Sequence, residues 1–269
     1  MLFTERDCMD SEKLDKMAGD ARFIPGIYHY CDRWCERCQF TARCLNYAFT
    51  EEQFPDRESR DITNEKFWKS LEATFRMTLA MVREFAEERG IDLEASLNMP
   101  DVDTGKKKRT EAGETPLAKA AMEYIRMANG WFASRMMEAE DKETDQEEVV
   151  LPALADPTSA PDVNDAIEVI RWYLYPTSVK LMRALDNEGS ENAVPGEDLP
   201  KDSDGSAKVA LIAMDRSIAA WGRLLSEYAG EADGILAILL HLSRLRGATE
   251  LQFPAARLFV RPGFDQEVE

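Results

Sequence analysis

The chain has 269 residues, a hydrophobic fraction of 44% and a formal net charge of −18 at neutral pH. This length and composition suit a globular protein with a substantial core, and they exclude global disorder. The excess of negative charge repels a phosphate backbone and therefore argues against a general nucleic-acid-binding protein.

The sequence shows no sign of a signal peptide or of a membrane span. Its first residues lack the order of basic and then apolar residues that a signal peptide has. No apolar run approaches the ~20 residues that a membrane-spanning helix needs. These features predict a cytoplasmic protein that does not enter a membrane. In a thiol-reducing compartment, clustered cysteines more often bind a metal than form disulfides.

Four of the five cysteines lie within 14 residues, at Cys31, Cys35, Cys38 and Cys44. Four thiolates can complete the coordination of one metal centre, and the interleaved Arg33, Arg37 and Arg43 offset their negative charge. A [4Fe–4S] cluster takes one thiolate at each iron, and a single loop can deliver all of them. A structural zinc ion usually takes its thiolates from two separated Cys-x2–4-Cys pairs. Because the segment has no second pair and has a long x5 gap, we predict a [4Fe–4S] cluster, with zinc as the alternative.

The last three of these cysteines also resemble a known motif. The spacing Cys35-x2-Cys38-x5-Cys44 is similar to the end of the iron–sulfur loop in endonuclease-III-type DNA glycosylases and in iron–sulfur RecB-family nucleases. The resemblance implies a cluster that mainly maintains structure, with these three cysteines and Cys31 as its ligands. The x3 spacing after Cys31 departs from both families. The sequence also lacks the Gly-rich hairpin of the glycosylases and the strand-borne carboxylates of the nucleases, so the resemblance supports the metal more than the DNA chemistry.

Three other interpretations of the cysteine segment stay open. Cys31-x3-Cys35-x2-Cys38 matches the radical-SAM spacing, although an arginine replaces the usual aromatic residue before the last cysteine. Trp34-Cys35-x2-Cys38 is similar to the thioredoxin motif. Both families need strands, and the sequence shows no strand pattern. The third interpretation is four free or partly disulfide-bonded thiols without a metal.

Five segments show helical periodicity. They span about 63–89, 115–136, 162–185, 206–229 and 233–246. Gly90 follows the first segment where a C-terminal cap belongs, and the second begins with the cap residue Thr115 and with Pro116 at the first helical position. Pro176 predicts a kink or an interruption in the third. The fifth is apolar on nearly all sides, which predicts burial among other helices.

Together these elements predict an all-α protein, a bundle of about five helices preceded by a Cys-rich metal-binding loop. We assign residues 1–60 to a metal-binding segment that docks on the bundle, residues 61–250 to the bundle and residues 251–269 to a C-terminal tail. Within the bundle, residues 138–161 are acidic and rich in proline, which is typical of a solvated linker.

The two histidines are weaker candidates for function. His29 lies two residues before Cys31 and can replace a thiolate ligand or donate a hydrogen bond to a sulfur. An ordinary, partly buried position explains His29 equally well. His241 lies in an apolar helix, a setting that is typical of a core histidine with satisfied hydrogen bonds.

A set of carboxylates places one acidic side chain on each of the four longer predicted helices: Glu72, Glu123, Glu168 and Asp215. Such a set can line a bundle and hold two metal ions. A ferritin-like site also requires Glu-x-x-His pairs, which this sequence lacks. A structural role is therefore favoured for Glu168, near the start of its helix, and for Asp215, beside an apolar stripe.

Two classes of function fit these patterns. The first is a redox or cluster-dependent protein, with enzymatic activity left open. The second is a non-enzymatic adaptor that binds a protein partner and in which iron–sulfur or zinc stabilises the docking element. The acidic linker and the lack of catalytic motifs favour the second class. A third class, DNA processing, is supported by the cysteine spacing alone. The sequence predicts neither a substrate nor an oligomeric state.

Overall fold

The computed structural model describes residues 11–93, 112–142, 161–188 and 201–265. These residues contain eight α-helices and no strand. The all-α prediction is therefore confirmed, whereas the expected number of about five helices is too low. The chain divides into two compact units, Met1–Asp103 with Arg261–Glu269, and Thr104–Val260. Within the described ranges, no helix has the length and apolar character that crossing a membrane requires.

The first unit contains α1 (Ser11–Ala18), α2 (Leu45–Gln53), α3 (Arg57–Arg60) and α4 (Glu65–Glu88). The first three are too short to show the periodicity on which the helix prediction depends, so the sequence analysis missed them. The helix predicted over 63–89 is α4. Asn64 caps it by accepting the N–H of Lys66 at 3.0 Å, and Gly90 ends it in the left-handed conformation, with φ of +65°.

Only part of the surface of α4 is covered. The Phe67 ring stacks on Phe54 with a centroid distance of 5.7 Å, and the Thr74 hydroxyl donates to Gln53 Oε1 at 3.1 Å. Five other large side chains of α4 are 46–61% exposed: Trp68, Phe75, Leu79, Val82 and Phe85. The apolar periodicity therefore predicts the helix correctly, but much of its apolar face is not buried.

The second unit contains α5 (Pro116–Lys142), α6 (Pro161–Asn187), α7 (Asp202–Glu227) and α8 (Ala232–Gln252). α5 begins at the predicted proline, where the Thr115 hydroxyl accepts the N–H of Ala118 at 3.2 Å. α6 continues through Pro176 without interruption, and α8 continues through Gly247, beyond its predicted end. The four long helices of this unit thus match the last four predicted segments. Besides these two differences, α5 extends to Lys142 and so enters the predicted linker 138–161, of which residues 143–160 lie outside the described ranges.

Ion pairs at the helix ends show how α6 and α7 are arranged. Asp162, at the start of α6, pairs with Arg223, near the end of α7. Arg183, near the end of α6, pairs with Asp202, at the start of α7, at 2.9 Å. The two helices are therefore antiparallel, as helices joined in sequence within a bundle usually are.

The core of the second unit is a continuous apolar cluster. Its largest fully buried side chains are Tyr124, Ile170, Leu181, Leu211, Met214, Trp221, Leu224, Ile235 and Leu242. The Trp221 indole N–H donates to the Tyr124 hydroxyl at 3.3 Å, and the ring lies edge-on to Trp131 at 5.1 Å. In α8, however, Leu236 and Leu240 are about half exposed. Four other side chains of α8 are buried in the core, as the predicted burial among other helices requires, but the apolar surface of the helix is only partly covered: Ile235, Ile238, Leu242 and Leu245.

Candidate metal centre

The cysteine segment, residues 24–44, forms a closed loop. The Ile24 N–H donates to the Arg43 carbonyl oxygen at 3.0 Å and so joins its two ends. Gly26 has φ of +73°, and Arg33 has φ of 60°. A left-handed backbone is ordinary for glycine but uncommon for a residue with a side chain. The chain therefore reverses direction sharply on the N-terminal side of Cys35.

The second half of the loop consists of two 3-10 turns, Cys35–Arg37 and Thr41–Arg43. The Cys38 N–H donates to the Cys35 carbonyl oxygen at 3.2 Å and ends the first turn. The Cys44 N–H donates to Thr41 in the same way, also at 3.2 Å, and Cys44 is the residue before α2. These local hydrogen bonds fix the positions of the last three cysteines of the motif.

All four cysteine side chains of the loop line one pocket, which has about 320 Å³ of atom-free volume, its open mouth included. None of these four cysteines forms a disulfide bond. Most of the other lining side chains are apolar or aromatic, among them Ile27, Tyr28, Trp34, Phe40, Tyr47 and Phe264. His29 is not among the lining residues. The structure thus brings together the four thiols that the sequence analysis selected.

The charge state of the pocket depends on how the thiols affect one another. Burial raises the pKa of the Cys35 thiol, and the neighbouring Cys31, Cys38 and Cys44 raise it further. Both effects disfavour the thiolate, because burial removes water from a charge and nearby thiolates repel it. A bound cation reverses this balance, since coordination deprotonates a thiol. Deprotonation of these thiols therefore requires a bound cation that offsets the repulsion among them.

Backbone groups supply further contacts to the sulfurs. The Phe40 N–H donates to Cys38 Sγ at 3.4 Å, and the Cys31 thiol donates to the Tyr28 carbonyl oxygen at 3.5 Å. An N–H directed at a sulfur is more favourable when that sulfur is charged. The contact to Cys38 is therefore already suited to a metal-bound thiolate, whereas the Cys31 thiol must give up its hydrogen bond before it can coordinate.

Throughout the ranges that the structure describes, no three His, Cys, Asp or Glu side chains are arranged as ligands of a single metal ion. The four sulfurs line the pocket without converging on one ion position. The carboxylate hypothesis gains no support either, since Glu72 and Glu168 are exposed and Glu123 pairs with Arg126.

The remaining weak candidates have structural partners. The His241 Nε2–H donates to the Ala120 carbonyl oxygen at 2.7 Å and so ties α8 to α5. The Asp215 carboxylate pairs with Arg246 at 3.3 Å and with Arg257 at 2.6 Å. These contacts agree with the structural role that the sequence favours for His241 and Asp215.

The sequence analysis missed the aromatic side chains of the pocket. Trp34, Phe40 and Tyr47 lie close to the cysteines in sequence, so their proximity could have indicated them. Phe264 lies at the other end of the chain, and no sequence signal connects it to the cysteines.

No protein-family model, curated protein or solved structure matches this chain. The features that indicate a function are the four thiols, the side chains around them in the pocket and the short resemblance in cysteine spacing.

Proposed function

We propose that Cys31, Cys35, Cys38 and Cys44 bind one [4Fe–4S] cluster with a structural or redox role. The observation that carries the proposal is that all four thiols line a single pocket. In such a cluster each cysteine binds a different iron, so ligands spread around a pocket suit it better than they suit one ion. When bound, the cluster supplies a one-electron redox centre and a cross-link among four points of the loop.

The surroundings of the thiols support the same proposal. The backbone N–H of Phe40 is directed at Cys38 Sγ, and hydrogen bonds to sulfur are among the features that set a cluster's reduction potential. The Trp34 ring is buried and lines the pocket, so part of the pocket wall is apolar. Arg33 also lines the pocket, and its positive charge suits a centre with four anionic ligands.

A structural zinc ion is the alternative. Zinc binds thiolate sulfur at about 2.3 Å in a tetrahedron, which would bring the four sulfurs to roughly 3.8 Å from one another. The loop would have to contract around the ion to reach that geometry. Because zinc does not change its oxidation state, a zinc site would have no redox role, and the adaptor with a stabilised docking element would then be the favoured class.

The first experiment is purification without oxygen, followed by an absorption spectrum and by iron, sulfide and zinc analysis. We expect a brown protein with about four irons and four sulfides per chain. A colourless protein with about one zinc would support the adaptor instead. A protein free of all three would contradict the proposal.

Serine variants assign the ligands. Cys35→Ser and Cys44→Ser should each lose most of the bound iron, because serine is a poor ligand for this centre. Cys8→Ser is the matched control, since Cys8 is the only cysteine outside the cluster of four, and it should keep the full iron content. Equal iron in all three variants would show that the cluster, if present, is bound elsewhere.

A further inference from the structure

The C-terminal part of the first unit returns to the cysteine loop. We call residues 261–265 the strap. Phe264, within the strap, lines the same pocket as the four thiols. Its ring lies edge-on to Phe40, at a centroid distance of 5.1 Å and an interplanar angle of 83°. One side of the pocket is therefore formed by a residue from the far end of the chain.

The strap fits closely against the start of the loop. Gly263 has φ of +75°, a conformation that side chains disfavour. A Cβ atom at this position would lie 2.9 Å from Ile27 Cδ1 and 3.1 Å from Ile24 Cδ1. A residue with a side chain at this position would need both a disfavoured φ and a shift of the two isoleucine side chains, so glycine favours the close approach that places the next residue, Phe264, at the pocket.

An ion pair within the strap holds this conformation. The Arg261 guanidinium donates to both oxygens of the Asp265 carboxylate, at 2.9 and 3.0 Å, and the Arg261 N–H donates to the same group at 3.0 Å. The two side chains are only 15% and 23% exposed. The Arg261 guanidinium also lies over the Phe264 ring at 4.8 Å. The strap is thus internally bonded in the conformation that directs Phe264 to the pocket.

We propose that the strap closes the metal pocket and controls the exchange of the bound metal with solvent, with Phe264 as the covering side chain. The inference rests on the proposed function, because it assigns regulation to the same site. A metal that is held more tightly in the closed state must in turn stabilise closure, since the two equilibria are linked. Loss of the metal should therefore weaken the closure of the strap, and loss of the strap should weaken the binding of the metal.

The test compares metal release in two variants of the full chain. Phe264→Ala removes the cover, and Leu258→Ala removes an apolar side chain that is 81% exposed. Each protein is loaded with iron and sulfide under anaerobic conditions. It is then mixed with an excess of a chelator that becomes coloured when it binds iron, and the absorbance of the iron–chelator complex is followed with time. Phe264→Ala should release metal about tenfold faster or more, because the closed state loses a packed aromatic pair. Leu258→Ala should release metal at the wild-type rate.

A second measurement needs no variant. Amide hydrogen exchange of residues 261–265 in the wild-type chain should be slower with metal bound than after its removal. Equal release rates for the three proteins, or equal exchange with and without metal, would overturn the role of the strap while leaving the metal site intact. Wild-type protein that binds no metal would overturn the proposed function itself, and the inference with it.

Discussion

The four-helix unit and the cysteine loop are stabilised in different ways. In α5–α8, side chains from every helix meet in one apolar cluster, and many of them are fully buried. The cysteine loop contributes only two large buried apolar side chains, Ile27 and Trp34. Small folds with so little core usually need a disulfide or a metal. The comparison indicates that the helical unit has a large core of its own and the cysteine loop does not, so the proposed cluster would contribute much of the stability of the loop.

Removal of the metal should show this difference most strongly. After anaerobic chelation, amides of residues 24–44 should lose most of their protection from hydrogen exchange, because metal binding and folding are coupled in small metal-bound segments. Amides of α5–α8 should keep theirs. Equal loss of protection in both regions would show that the helical unit also depends on the metal.

Truncation of Trp221, the largest fully buried side chain, tests whether the helical unit is stabilised by its own core. Trp221→Ala should lower the free energy of unfolding of the helical unit by about 3–5 kcal/mol, since it removes a large, fully buried side chain. Denaturant unfolding measures the change. The metal content of the folded variant should equal that of the wild type.

Leu251→Ala is the control for this experiment. Leu251 is on the same unit and is 86% exposed, so its truncation should change the free energy of unfolding by no more than about 0.5 kcal/mol. A large effect of Leu251→Ala, or a loss of metal in Trp221→Ala, would contradict the separation of the two regions.

The smallest expected effect concerns the stability of the helical unit at alkaline pH. Burial raises the pKa of the Tyr124 phenol, whereas an unfolded tyrosine titrates at about 10. Above that pH the unfolded state loses its proton first, so stability should fall by up to about 1.4 kcal/mol per pH unit until the folded-state pKa is reached. Tyr124→Phe should reduce this slope.

The slope is measured from denaturant unfolding at several pH values between neutral and alkaline. Tyr175→Phe serves as the control because Tyr175 is 58% exposed, and its slope should match the wild type. Loss of the Tyr124 hydroxyl also leaves the Trp221 N–H without its acceptor and so lowers the free energy of unfolding at every pH. The comparison therefore uses the slope of that free energy against pH and not its absolute value. An unchanged slope in Tyr124→Phe would exclude this tyrosine as the cause.

The long helices could be predicted because their periodicity reflects burial on one face. The same periodicity could not indicate what covers that face, as the exposed Phe75 and Leu79 of α4 show. Nor could it indicate that α6 passes through Pro176. There the Thr177 hydroxyl donates to the Tyr173 carbonyl oxygen at 2.7 Å, an additional bond within the turn where the proline lacks an N–H.

The candidate site could be predicted only in its local part. Cys35, Cys38 and Cys44 lie close together in sequence, so local turns suffice to bring them to one place. The cover of the pocket depends on a contact between Phe40 and Phe264. A single sequence contains no record of such a distant contact, because nothing in the local sequence distinguishes Phe40 or Phe264 from other apolar residues near a turn.

The position of Phe264 also has a consequence for the order of events during synthesis. The ribosome completes the cysteine loop first and the four long helices next, and it adds Phe264 only after them. At about 5–20 residues per second, roughly ten to forty seconds separate Cys44 from Phe264. Throughout that interval the nascent chain lacks Phe264, so the components of the proposed cluster would be able to reach the thiols before the proposed cover is made.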